Sequence, residues 1–168
     1  LLERLARQRG LYVFLSEMEE GWGLKHHPHL LRNGGQGLHH GIGAERLSRW
    51  LIARGVVPEI MITLAPTPLF KGQSGIAVYS QHWERNGVQP TPELIARTEA
   101  AVSGLEKINP AILRRNNSND YLVYGREFAK WSVPSLAIEP AIFPCHAMPE
   151  RVFIRDVEAA EELVFRFL

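Results

Sequence analysis

The chain has one cysteine, Cys145, in 168 residues. That excludes an intramolecular disulfide and a cysteine-based zinc cluster, and leaves histidine and carboxylate side chains as the ligands a metal could find. An excess of charge is lacking too: nineteen Lys and Arg against eighteen Asp and Glu give a formal net charge of +1. Nothing in that balance calls for a polyanionic partner, so no nucleic-acid partner is expected. No apolar run approaches the roughly 18 residues of a membrane span, and the opening LLERLARQRG has no signal-peptide core. The expectation is a soluble chain without a span. Because it does not begin with Met, it is also expected to be an excised domain or a processed chain. There is no internal repeat, low-complexity tract or linker, and 45% hydrophobic residues suffice for the core of one domain.

The densest stretch is residues 26–55, HHPHLLRNGGQGLHHGIGAERLSRWLIARG, which holds five of the seven histidines. Its glycine-rich part has no apolar periodicity and is expected to be a loop. A helix follows from near Ala44 to about Arg54, with Leu47, Trp50 and Leu51 on its core face and Gly55 as its stop. Glu45 falls in the first turn, where the helix dipole favours a carboxylate.

Residues 1–9 suggest a short helix, and Leu11–Ser16 a buried strand. Glu59–Leu64 and Gly75–Ser80 are expected strands, the second delivering Gln81, His82 and Trp83 at its carboxyl end. Thr91-Pro92-Glu93 supplies an N-cap, a first-turn proline and an acidic start for a helix to about Lys107, burying Leu94, Ile95, Thr98, Ala101, Val102 and Leu105. RRNNSND at 114–120 is expected to be a loop. Tyr121–Tyr124, Ser135–Ile138 and Arg151–Arg155 are expected strands, and Val157–Leu168 a last amphipathic helix. Strands alternating with helices predict a single α/β domain, a mainly parallel or mixed sheet flanked by helices. In such sheets ligands bind at the carboxyl ends of the strands, which singles out the loop after Ser16, the Gln81-His82 corner and Glu139.

One histidine of the 26–40 loop, Glu45 and His82 would make the two-histidine, one-carboxylate set of a catalytic zinc with one position open for water. A further carboxylate, Glu139, could then take the proton of that water and pass it to a leaving amine. An arginine such as Arg126 could hold a substrate carboxylate.

The stretch GGQGLHHGIGAERLSRWLIARGVVPEIMIT resembles the glycine-rich loop, metal-binding glutamate, helix and strand of zinc-dependent N-acetylmuramoyl-L-alanine amidases, and VPSLAIEPAIF resembles the strand bearing their catalytic glutamate. The second half is similar to zinc carboxypeptidases: a histidine at a strand end, PTPELIARTEAAV as a helix, YGREFAKW, and a strand ending in Glu139. The resemblance implies a zinc-dependent hydrolase of an amide or peptide bond acting on a small-molecule or peptide substrate. It implies Glu45 and His82 as ligands, His29 or His27 as the first ligand, and Glu139 as general base. The chain lacks the Asp-Pro-Gly-His opening of the amidases and the His-x-x-Glu pair of the carboxypeptidases.

Two other classes compete for the same residues. Gly37, Gly41 and Gly43 resemble the dinucleotide fingerprint of short-chain dehydrogenases, which would make residues 34–43 a nucleotide or phosphate cradle. That fingerprint needs a strand directly before it, and HPHLLRN stands there instead. Gly34-Gly35-Gln36 resembles the loop of release factors, which works in basic surroundings. Arginines 46, 49, 54, 114 and 115 could bind phosphate but are ordinary on solvated faces. Cys145 and His146 are adjacent and do not present a nucleophile to a base. The remaining alternative is a non-catalytic α/β interaction domain; convergence of the loop histidine, Glu45, His82 and Glu139 on one cleft separates it from an enzyme.

Overall fold

The computed structural model describes residues 10, 11, 13, 14, 41–117, 119–145 and 148–168. In chain order these form α1 (Ile42–Ala53), β1 (Met61–Leu64), β2 (Ile76–Tyr79), the short α2 (Trp83–Asn86), α3 (Pro92–Ile108), β3 (Leu113–Arg115), α4 (Tyr121–Phe128) with a 3₁₀ turn at Ala129–Trp131, β4 (Ser135–Pro140) and α5 (Ile154–Phe167).

The strand runs expected at 59–64, 75–80 and 135–138 pair into one four-stranded sheet of order β1-β4-β2-β3. The sheet is mixed. β1 runs parallel to β4 and β2 parallel to β3, but β2 and β4 are antiparallel, with Ala77 opposite Glu139 and Tyr79 opposite Ala137. Side chains alternate between faces along a strand, so that register sorts the sheet into two surfaces. Ile76, Val78, Leu136 and Ile138 point one way and are buried under Val102 and Leu105 of α3 and Ala160, Leu163 and Val164 of α5. Ala77, Tyr79 and Ala137 point the other way and meet Tyr121 of α4, while Ala44 and Leu51 of α1 pack with Tyr124 and Phe128 beside them. The result is the single α/β domain expected, helices covering both faces of the sheet.

Local chemistry explains most boundaries. Thr91 Oγ1 accepts the Leu94 N–H at 3.1 Å, and Pro92 occupies the first helical position of α3. α1 ends where Gly55 takes φ +69°, and the Val56 N–H returns to the Leu51 carbonyl at 3.0 Å.

Several expectations are corrected. Tyr121–Tyr124 is the start of α4 rather than a strand: Tyr121, Tyr124, Gly125 and Phe128 are its buried residues, a helical spacing that outweighs the β-forming character of four apolar residues. Arg151–Arg155 contributes only the bridge Ile142↔Val152, because α5 already begins at Ile154. The polar segment from 114 starts as the edge of β3. Trp50 is 44% exposed, its ring covered by the Arg54 guanidinium at 4.0 Å, and Ile95 is 41% exposed. Leu11, Val13 and Phe14 are not in a strand; the rest of Leu11–Ser16, the helix expected over 1–9, the loop after Ser16 and the loop 26–40 lie outside the described residues.

The aliphatic layer is tied down by Asp156, which is 5% exposed and accepts the Ser74 hydroxyl at 2.5 Å and the Gly75 N–H at 2.9 Å. Asp156→Ala strands that N–H beside the start of β2. It is expected to lower the unfolding free energy by about 1–3 kcal/mol in urea titrations.

Candidate functional site

Glu139 sits near the carboxyl end of β4, on the face that carries Ala77, Tyr79 and Ala137. It is 3% exposed, so its carboxyl is removed from bulk water, yet polar groups surround it. Asn119 donates its Nδ2 to Glu139 Oε1, and the hydroxyls of Tyr79 and Thr67 also bond the carboxyl. Tyr79 Oη and Thr67 Oγ1 lie 2.7 Å from each other. Thr67 is placed by backbone: its N–H bonds the Pro140 carbonyl and its own carbonyl accepts from Ile142, both at 2.9 Å.

Asn119 arrives by a different route. β3 ends beside Tyr79, Asn116 Oδ1 accepts the Ser80 and Gln81 N–H groups, and the loop then crosses toward α4. Asn119 Oδ1 caps the Tyr121 N–H at 2.8 Å, which fixes the amide and leaves Nδ2 facing Glu139. Asn117, an exposed residue, bonds Tyr79, so the network runs from the surface at 117 inward to the carboxyl.

Burial disfavours the charged form of Glu139 and pushes its pKa up to about 7, with the bonds from Tyr79, Asn119 and Thr67 holding it back. Burial likewise pushes Tyr79 up to about 12, so Tyr79 stays a neutral hydroxyl. A carboxyl poised near neutrality, held by the Asn119 amide and the Tyr79–Thr67 hydroxyl pair, can both accept and return a proton.

His82 is held elsewhere. β2 and β4 being antiparallel, their carboxyl ends lie at opposite edges of the sheet: Glu139 is level with Ala77, while His82 lies beyond Tyr79. The strand-end rule that grouped the two residues fails on this one pairing. The His82 ring is fully buried against Gly125, where a Cβ would come within 2.3 Å of the imidazole, so only glycine fits that point of α4. Its Nδ1 lies 2.8 Å from Asn86 Nδ2. Asn86 Oδ1 accepts the Val88 N–H and Nδ2 also donates to the Leu122 carbonyl, which fixes the amide orientation. Nδ1 is therefore the acceptor, and the ring proton is on Nε2. A metal-ligating histidine needs the reverse, a free lone pair on one nitrogen and a donated N–H on the other. His82 as held does not fit a zinc ligand. Burial also lowers its pKa to about 4, so it is neutral through the physiological range.

Glu45 and Arg126 are engaged with neighbours on their own helices. Glu45 pairs with Arg49 one turn on, at 2.5 Å. Arg126 pairs with its neighbour Glu127 at 3.0 Å and is not part of the Glu139 network. His27 and His29 lie outside the described residues. Among the described residues, no three His, Cys, Asp or Glu side chains group so as to hold a metal ion. Of the arginines proposed for phosphate, Arg49 pairs with Glu45, Arg54 covers the Trp50 ring, and Arg114 bonds Glu106 at 2.5 and 2.6 Å and Glu99 at 2.8 Å.

Thr67, Tyr79, Asn119 and Tyr121 were not singled out from sequence. The one local hint was the asparagine-rich run at 116–119, since Asn side chains seek backbone partners at turns.

Glu139 and His82 titrate with opposite effects on stability. Glu139 is raised from 4.5 to about 7, so its contribution is full below pH 4.5 and is lost as pH rises to 7. His82 is depressed from 6.5 to about 4, so its contribution is full above 6.5 and is lost as pH falls to 4. Each amounts to roughly 3 kcal/mol, and across pH 4.5–6.5 they oppose each other. In Glu139→Gln, stability is expected to climb with pH over that window more steeply than in the wild type. Urea unfolding at half-unit pH steps checks this; parallel profiles for the two proteins would show that Glu139 ionises normally. No family model, curated protein or solved structure matches this chain.

Proposed function

We propose that this protein is a hydrolase of an amide or peptide bond, with Glu139 as the group that moves the proton. The observation that carries the proposal is a nearly water-free carboxyl with a pKa of about 7, oriented by Asn119, Tyr79 and Thr67 at the carboxyl end of a central strand. As base, ionised Glu139 takes a proton from water while the water oxygen bonds the amide carbon. As acid, it returns that proton to the nitrogen as the C–N bond breaks, which leaves Glu139 as it began. Tyr79 and Thr67 remain hydroxyls throughout and hold the carboxyl in place. The zinc ion implied by the resemblance enters no step of this reading, because His82 carries its proton on the nitrogen a metal would need.

A second reading has support from burial. Thr67, Tyr79 and Glu139 are each 3% exposed or less, as expected of a polar brace inside a non-catalytic interaction domain.

The two readings part on Glu139→Gln, which keeps shape and hydrogen-bonding capacity while removing the base. Amine release would be followed across a panel of N-acyl amino-acid amides and short peptides. The wild type is expected to show kcat/KM rising with pH through about 7, the pKa of Glu139, because the base must be ionised. The variant is expected to lose about a hundredfold or more at unchanged fold. Turnover that survives in Glu139→Gln, or a wild type inert on every member of the panel, would remove the hydrolase reading and leave the brace.

A further inference from the structure

Two hydroxyls on the face of the sheet that carries Glu139 are buried without a hydrogen-bond partner among the described residues: Tyr121 Oη and Thr63 Oγ1. Their placement follows from register. Thr63 is level with Ala137 on β1, and Tyr79 is level with Ala137 on β2, so Thr63, Ala137 and Tyr79 form a row across the sheet. Glu139 is the next residue of β4 on that face. Ala77 and Ala137 present only methyl groups there, and the Tyr121 ring packs over them, 6.1 Å from the Tyr79 ring.

The backbone of Tyr121 is pinned from two sides. Asn119 Oδ1 takes its N–H and Ser135 Oγ donates to its carbonyl, each at 2.8 Å. The phenol is thus carried on a fixed helix end while its hydroxyl is left unmatched. Tyr79 is built the other way, with its hydroxyl committed to Thr67 and Glu139. Buried polar atoms are paired in nearly all proteins, so an unpaired hydroxyl that feels the charge of Glu139 calls for an explanation. Burial raises the Tyr121 pKa above its ordinary value, with Arg85 acting against it and Glu139 with it, so the hydroxyl stays a donor near neutral pH.

We propose that Tyr121 Oη donates a hydrogen bond to the carbonyl oxygen of an amide substrate, with Thr63 Oγ1 as a second contact, while Glu139 acts on the attacking water. This rests on the hydrolase reading and assigns the residue that recognises the bond to be cleaved. A donor aimed at an oxygen that gains negative charge stabilises the transition state more than the bound amide. Tyr121→Phe should therefore depress kcat more than it raises KM.

The test uses N-acetyl-L-alanine amide as probe, titrated into protein carrying ¹³Cζ-labelled tyrosine. The Tyr121 signal is assigned by its disappearance in Tyr121→Phe. The expected result is a saturable shift of that signal, with the probe Kd rising about tenfold or more in Tyr121→Phe. An unmatched hydroxyl also predicts that Tyr121→Phe is as stable as the wild type or more so, read as an equal or higher urea midpoint. A clearly lower midpoint would show that Oη already has a partner and would overturn the inference. Probe that binds at Tyr121 but is never cleaved sinks the hydrolase reading and leaves the recognition site standing. Cleavage with equal kcat/KM in Tyr121→Phe sinks the recognition site and spares the hydrolase. Absence of both binding and cleavage sinks the two together.

Discussion

A carboxyl group taken out of water has to be protonated or surrounded, and Glu139 is arranged for both. Its position within the sheet fixes what must stand around it. The hydroxyls of Thr67 and Tyr79 come from chain segments on either side of β4, and Asn119 comes from a loop that leaves the far edge of the sheet and returns over its face. The small side chains at 77 and 137 follow from the same need, since a larger residue at either would occupy the space of the Tyr121 ring. One face of the sheet is an aliphatic seam under two helices, and the other is organised around this one ionisable group.

That asymmetry depends on a single strand direction. With every strand parallel, the carboxyl ends of β2 and β4 would share an edge, and His82 would be brought toward Glu139. The antiparallel β2–β4 pair instead sends the β2 end into α2, where His82 becomes a packing residue between Asn86 and Gly125. The two buried ionisable groups are thus separated, each set by burial on the uncharged side of its ordinary titration, the acid weaker and the base weaker than in water.

Much of the fold was legible because it is written in local terms. The Thr91-Pro92-Glu93 start, the Gly55 stop and the short β-forming runs each carry their own signal, and the structure places elements there. What was not legible is what local sequence does not encode. Strand direction is decided by how connections pack, and no periodicity in 76–79 or 135–140 distinguishes parallel from antiparallel. Tyr121-Leu122-Val123-Tyr124 misleads for the opposite reason: its residue types favour a strand while its spacing to Gly125 and Phe128 favours a helix, and tertiary packing decided. Of the candidate site, Glu139 was visible as a carboxylate closing an apolar run. Its partners were hidden, because Asn119 lies twenty residues away in sequence and Tyr79 reads as one more aromatic in a strand.

The contact between His82 and Gly125 has a consequence for how this chain can vary. Because the imidazole fills the space a Cβ at 125 would need, the two positions are not free to drift separately. A side chain at 125 becomes tolerable only after 82 has shrunk, and a small residue at 82 leaves a void until 125 has grown. Related chains should therefore show the pair changing together, with histidine at 82 accompanied by glycine at 125, and with Asn86 losing its reason to be asparagine once the histidine is gone.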